Sequence, residues 1–341
     1  MDRSRYGYPL RRRRPTQHEW WLALPLALVI GLVILGSRLP EAAGGLPASS
    51  SPAASSACPT GENCTVGAPP PLACAPGDAC AASQDRPTLE ASAAPPTITG
   101  RAAAIIEEPC GALLYADNAH DRLAPASLTK IATALVALER ADLAETADVR
   151  INGVELSAST DSTVMGLEPG QRMSVRDLLF GLLLPSGNDA AIALAEHVGG
   201  DVPAFVDLMN AKVNELGLGD THFANPHGLD DPDLYTSAFD IAMLGRELIR
   251  QPELAAIVRT PTYQPAWDGP PVWNGNRLLN TYPGSIGVKT GFTDEARGTI
   301  VAAADRDGRR LVVSVLGSSA IYDDAITLME WAFTDERSAC N

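Results

Sequence analysis

Between Pro40 and Thr97 the chain holds ten further prolines among runs of Ala, Ser and Gly, with almost no large apolar side chains. Such a stretch cannot bury enough surface to offset the chain entropy lost on folding, so residues 38–97 read as an extended linker. A folded domain is thereby confined to residues 98–341. Those 244 residues can support a substantial core.

Two shorter segments precede the linker. Residues 1–18 form a basic tail that includes the consecutive Arg11 to Arg14. Within residues 19–37, the run Trp20–Gly36 carries no charge and is 17 residues long, the lower limit for a bilayer-crossing helix. We read it as a transmembrane signal-anchor. A cleaved signal peptide is the alternative, since it has the same order of basic and apolar regions. Against cleavage, the run is longer than a usual signal core, no clear Ala-x-Ala site follows closely, and Trp20 and Trp21 suit an interfacial belt. The positive-inside rule puts the amino terminus in the cytoplasm and everything after Arg38 outside. The expected location is the cell membrane, single-pass with an extracytoplasmic domain, or the exterior if the signal is cleaved.

Charge narrows the class of partner. The chain has 26 Lys and Arg against 41 Asp and Glu, a formal charge of −15. Residues 1–40 contribute +5, from seven arginines against Asp2 and Glu19, so the rest carries −20. A body that acidic repels phosphate backbones, which argues against nucleic acid as a partner. Five His, no Cys-x-x-Cys and no His-Glu-x-x-His argue against a zinc site.

Six cysteines in an exported chain point to disulfides. Cys58 and Cys64, then Cys74 and Cys80, each frame a Cys-x-x-Gly-acid-x-Cys repeat in the linker. Cys110 and Cys340 lie near the two ends of the folded part and pair if those ends are neighbours. Sequence leaves the pairing open among 15 possibilities.

Periodicity outlines the folded part. Arg101–Glu107 and Gly111–Ala116 alternate around a Pro-Cys-Gly turn, a hairpin signal. Ser127–Glu139, Ser174–Leu184, Asp189–Val198, Pro203–Leu216 and Ser237–Ile249 read as helices. In the fourth of these, Phe205, Val206, Met209, Val213 and Leu216 fall at core spacing. Ser285–Lys289, Thr299–Asp305 and Arg310–Leu316 read as strands, and Tyr322–Phe333 as a last helix. Strands at both ends with helices between them predict an α+β fold.

Only three of the basic residues are lysines: Lys130, Lys212 and Lys289. Lysine can lose its proton where arginine cannot, so these three are candidates for chemistry. Ser127-Leu-Thr-Lys130 opens an apolar helix, where residues three apart share a face and a desolvated amine can take a proton from a hydroxyl. The plain alternative is a capping serine and a lysine reaching solvent. Ser186-Gly-Asn188 lies in a tight interhelical connection, where Ser and Asn are also ordinary caps. Lys289-Thr290-Gly291 ends a β-run, where glycine permits a bound chain to approach closely.

Taken in order, Ser-x-x-Lys, Ser-Gly-Asn and Lys-Thr-Gly form the trio known in penicillin-binding proteins and class A β-lactamases, with Ser-Asp-Asn in the middle there. The chain resembles the low-molecular-mass penicillin-binding proteins, the serine D-alanyl-D-alanine carboxypeptidases of the S11 type. The resemblance covers roughly Ala102 to Phe333 and includes the segments around PASLTKIATALVALE, LLPSGNDAAIALAEHVGG, FANPHGLDD and GVKTGFTDEA. It implies a five-stranded antiparallel sheet flanked by helices, with a helical lobe. It also implies Ser127 as acylated nucleophile, Lys130 as base and Ser186 as proton relay. Asn188, Lys289, Thr290 and Gly291 would bind substrate. The backbone N–H groups of Ser127 and Phe292 would form the oxyanion hole. The implied substrate is a peptidoglycan stem peptide ending in D-Ala-D-Ala, with β-lactams as inhibitors and no metal or organic cofactor.

The chain departs from that family in several places. The family usually has a second β-domain and a carboxy-terminal anchor, whereas eight residues follow Phe333; the amino-terminal apolar run is read as taking over the anchor. Glu107-Glu-Pro-Cys-Gly111 stands where Asp-x-x-Thr-Gly is usual, and Ile321 where an arginine is expected. Arg297 is therefore a candidate for gripping the substrate carboxylate, returning beside Gly291 if the last strands pair antiparallel; a solvated arginine at a hairpin end is the alternative. No Glu-x-x-Leu-Asn segment follows the second motif, so slow deacylation of β-lactams is expected. A D,D-endopeptidase or an inactive wall-binding protein are the alternatives to a carboxypeptidase.

The linker reading has a direct test. Limited proteolysis should cut between residues 40 and 97 and release a soluble, active fragment beginning near Ile98. Loss of activity on cleavage there would make the linker part of the domain.

Overall fold

The computed structural model describes residues 94–334 and 338–340. The anchor run and the cysteine repeats of the linker lie outside these residues. Among the described residues, no helix is long and apolar enough to cross a membrane.

The hairpin forms as expected: β1 (Ala102–Glu108) pairs antiparallel with β2 (Ala112–Asp117). A single 3-10 turn, Ala126–Leu128, leads into α1 (Thr129–Arg140). Then follow β3 (Thr146–Asp148), α2 (Gly153–Thr160), β4 (Arg172–Ser174), α3 (Val175–Leu183), α4 (Asn188–Gly199) and α5 (Val202–Glu215). After these come α6 (Ala238–Arg250), α7 (Pro252–Arg259), β5 (Thr262–Tyr263), β6 (Val272–Trp273) and α8 (Leu278–Thr281). The chain closes with β7 (Ser285–Thr293), β8 (Arg297–Arg306), β9 (Arg309–Ser318) and α9 (Ile321–Thr334).

Two helices begin where a serine supplies the missing acceptor. Ser174 Oγ accepts from Asp177 N at the start of α3, and Ser237 Oγ accepts from Asp240 N at the start of α6. On α5, Phe205, Met209 and Val213 are buried, whereas Val206 and Leu216 are only half-buried. The expected stripe is therefore narrower than its spacing suggested.

The main sheet has five strands in the order β2-β1-β9-β8-β7, all antiparallel. Its inner strands are apolar on both faces because both faces are covered. On one side Ala102, Ala104, Ile106, Val301, Ala303, Val312 and Leu316 join the core shared with the helical lobe. On the other, Ala103, Ile105, Ile300, Ala302, Val313 and Val315 pack with Leu328 and Met329 of α9. At the centre of the lobe is α1, with every residue from Thr129 to Ala137 buried. A helix apolar on all sides must be enclosed by its neighbours. The arrangement is the expected α+β sandwich, with a seam where the lobe meets edge strand β7.

The ends of the folded part do meet. Cys110 and Cys340 form a disulfide with their Cα atoms 5.4 Å apart. Beside it, fully buried Glu107 pairs with Arg309 Nε at 2.8 Å and accepts the backbone N–H of Ala339 at 2.8 Å. A bridge spanning 230 residues removes much freedom from the unfolded chain. Cys340→Ser should therefore cost about 2–4 kcal/mol, read as a drop of several degrees in Tm. An unchanged Tm would show that the bridge adds nothing to stability.

Candidate active site

Ser127 lies in the 3-10 turn just before α1, so one helical turn separates it from Lys130. The turn is tied to the sheet and to its own helix. Thr299 Oγ1 of β8 donates to Pro125 O at 3.1 Å, and Thr129 Oγ1 donates to Ala126 O at 2.9 Å. Lys130 is fully buried. Its Nζ donates to Ser127 Oγ at 2.9 Å, Asn188 Oδ1 at 2.7 Å and the carbonyl of His227 at 2.6 Å. Burial pushes the amine well below the usual lysine range; nearby Lys289 lowers it further, while Asp189 opposes the shift. The residue read as a base thus sits where it gives up its proton most readily, within hydrogen-bond reach of a hydroxyl.

The second motif shapes the opposite wall. Asn188 is the first residue of α4 and is buried. Its Oδ1 is taken by Lys130, and the residue lines the cleft. Ser186 has φ +70, a conformation rare for a residue with a side chain, and its buried Oγ makes no hydrogen bond among the described residues. A strained serine with an unspent hydroxyl at a cleft wall is suited to passing a proton.

Lys289 on β7 is buried, and burial brings its pKa down to about 7. Its Nζ donates to the carbonyl of Thr290 at 2.8 Å. Gly291 lies against the nucleophile's turn: a methyl group there would come within 2.7 Å of Ser127 N and of Thr299 Oγ1. Only glycine leaves that approach open. Phe292 follows and is 66% exposed. Ser127, Ser186, Asn188, Lys289, Thr290, Gly291 and Phe292 all line one cleft of about 640 Å³.

Arg297 does not join them. The strands do pair antiparallel, but Thr299 stands opposite Gly291 and Arg297 opposite Thr293. Two residues of strand, about 7 Å, separate it from the expected position. Its side chain is exposed, and it is not among the residues lining the cleft. The carboxylate grip expected of Arg297 thus gains no support from its place in the register. Ile321, at the start of α9, does line the cleft.

Three features of the site were not read from the sequence. Asp189, read from the sequence only as the first residue of a helix, is fully buried and accepts four backbone N–H groups, from Met165, Gly166, Leu167 and Ala190 at 2.8–2.9 Å. It thereby ties the segment after α2 to the head of α4, and Thr160 at the end of α2, with Asp161, Ser162 and Thr163 after it, forms a further wall of the cleft. His227 lines the cleft and supplies Lys130 with an acceptor. The signal for the third feature was the turn-forming cluster Asn225-Pro-His-Gly228; for the first two no local pattern exists.

Comparison with known proteins agrees with this geometry. The family model described as peptidase S11, D-alanyl-D-alanine carboxypeptidase, matches residues 89–320. The D-alanyl-D-alanine carboxypeptidase DacF of Bacillus subtilis is 39% identical over 227 residues, which is 64% of this chain and 57% of that protein. The chain thus matches little more than half the length of that relative. DacB2 of Mycobacterium tuberculosis, also a D-alanyl-D-alanine carboxypeptidase, is 41% identical over 221 residues, 61% of this chain and 74% of that protein. Among solved structures, the Streptomyces K15 DD-transpeptidase superimposes with a TM-score of 0.68 at 30% identity, covering 71% of this chain and all of that one. With the fold, the three motifs in one cleft and a family model spanning most of the folded residues, the chain belongs to the S11 family of D-alanyl-D-alanine carboxypeptidases.

Proposed function

We propose that the chain is a serine D-Ala-D-Ala carboxypeptidase that trims peptidoglycan stem peptides and is acylated by β-lactams. The observation that carries this reading is the 2.9 Å contact between Ser127 Oγ and the buried amine of Lys130. In the neutral form, Lys130 takes the hydroxyl proton as Oγ attacks the carbonyl carbon of the penultimate D-alanine. The developing oxyanion is met by the backbone N–H groups of Ser127 and Phe292. The proton passes by way of Ser186 to the departing nitrogen, releasing D-alanine and leaving an ester on Ser127. Water then hydrolyses the ester by the reverse proton path.

Substrate orientation follows from the same groups. Among the described residues, edge strand β7 has one side without a strand partner, and an extended peptide can pair there. Asn188 Nδ2 would hold a substrate carbonyl, and Lys289 with Thr290 the terminal carboxylate. Arg297, exposed near the open end, would add only long-range attraction for that carboxylate. The apolar run ahead of the linker would tether the enzyme to the outer face of the cell membrane, with the linker reaching toward the wall.

Ser127→Ala should lower D-alanine release from a peptide ending in D-Ala-D-Ala by at least about a thousandfold while leaving Tm unchanged. Release at a similar rate would overturn the assignment. The Lys289 pKa of about 7 gives a pH test. Its charge is present below that pH and lost above, so kcat/KM for peptides with a free carboxylate should fall as pH rises through about 7. Lys289→Arg keeps its charge and should lose this falling limb; an identical profile in both proteins would contradict the role given to Lys289.

A further inference from the structure

A charged lysine has three N–H groups and a neutral one has two, with a lone pair in place of the third. Around Lys130 Nζ stand three oxygens, and two of them, Asn188 Oδ1 and the His227 carbonyl, can only accept. Ser127 Oγ can accept or donate. When the amine is neutral, its two N–H groups are satisfied by the two carbonyl oxygens and its lone pair is left facing Ser127.

The His227 carbonyl is itself held from several directions. Asn225 Oδ1 accepts the N–H groups of His227 and Gly228 at 3.3 and 2.7 Å, and its Nδ2 donates to Leu229 O at 2.9 Å. Leu229 N donates to His227 Nδ1 at 3.2 Å. One turn beyond Lys130 on α1, Thr133 Oγ1 donates to Pro226 O at 2.6 Å. Gly228, at φ +93, packs so closely under the nucleophile's turn that a methyl group would come within 1.9 Å of Ala126 O. One five-residue loop therefore touches the peptide ahead of Ser127, the amine of Lys130 and the helix that carries both.

We infer that the Asn225–Leu229 loop aims the catalytic base: by fixing the His227 carbonyl against Lys130 Nζ, it leaves the neutral amine's lone pair one direction, toward Ser127 Oγ–H. The inference rests on Ser127 being the nucleophile. In this step the hydroxyl proton moves to Nζ, the Oγ–H electron pair forms the bond to the acyl carbon, and the carbonyl π pair moves onto its oxygen. Asn225 and Thr133 are positioning residues, since neither lines the cleft.

The charged and titratable groups facing Lys130 are Lys289 from β7, Asp189 from α4 and His227 from the loop. Burial and Lys130 hold the His227 ring neutral, with a pKa of about 3. The carbonyl also stabilises the ammonium form. Loosening it should therefore lower both the Lys130 titration midpoint and the rate of proton removal.

With three lysines in the chain, 13Cε-lysine NMR can follow each one. Lys212, paired with Glu139 and Glu215 at the surface, is the internal control, and Lys212→Arg and Lys289→Arg assign the signals. In Asn225→Ala the Lys130 midpoint should move to lower pH, that of Lys212 should stay, and the first-order acylation rate with benzylpenicillin should fall about tenfold with little change in its binding constant. Thr133→Val, near-isosteric, should do the same to a smaller extent and serves if Asn225→Ala fails to fold. An unmoved Lys130 midpoint in a folded variant, with or without a slower rate, would give the loop a purely structural role and overturn the inference. If wild type itself is not acylated but the midpoint moves, the functional reading fails while the loop's hold on Lys130 stands.

Discussion

Enclosing the amine of Lys130 is the constraint on which the rest of the site depends. A primary amine removed from water is costly in its charged form unless acceptors surround it. Here the acceptors come from three separate parts of the chain: Ser127 at the head of α1, Asn188 at the head of α4, and the His227 carbonyl from the loop before α6. None of these can shift without leaving a buried polar group unpartnered. The lysine therefore organises the lobe around itself, and the remaining imbalance between desolvation and hydrogen bonding makes its proton easy to lose.

The sheet supplies the other half of the site and the rigidity behind it. Its inner strands are buried on both faces, so their register is strongly specified. That register brings Lys289 and Gly291 to the seam with the lobe. Thr299, opposite Gly291, reaches across to the carbonyl of Pro125 and links strand β8 to the nucleophile's turn. The absence of a side chain at Gly291 then lets backbone meet backbone beside Ser127. At the far end of the sheet, the Cys110–Cys340 disulfide and the buried Glu107–Arg309 pair fasten the last residues to the first hairpin. Fastening and chemistry are thus separated along the same strands.

Much of this was legible in the sequence. The hairpin, six of the helices and the three final strands were marked by period-two or helical spacing. The trio of motifs found the floor and walls of the cleft because each carries a chemical group that a structural role does not require together. What was missed depended on long-range placement. Helix α2 buries only Gly153 and so shows no apolar face to detect. Asp189 has the local look of a cap, and only the folded chain reveals the backbone N–H groups gathered on its carboxylate. Arg297 stands two residues along β8 from the partner of Gly291, a register that turn length alone did not fix. Ile321 was noted for what it is not, and the structure places it on the cleft wall.

The central claim is that the hydroxyl beside a buried, readily deprotonated lysine is the group that becomes acylated. The most direct measurement is mass spectrometry of the protein after brief exposure to benzylpenicillin, with peptide mapping of the adduct. The account predicts a single penicilloyl group per chain, carried by the peptide containing Ser127 and absent from Lys130→Ala. An adduct on any other residue, or an undiminished yield in Lys130→Ala, would contradict it.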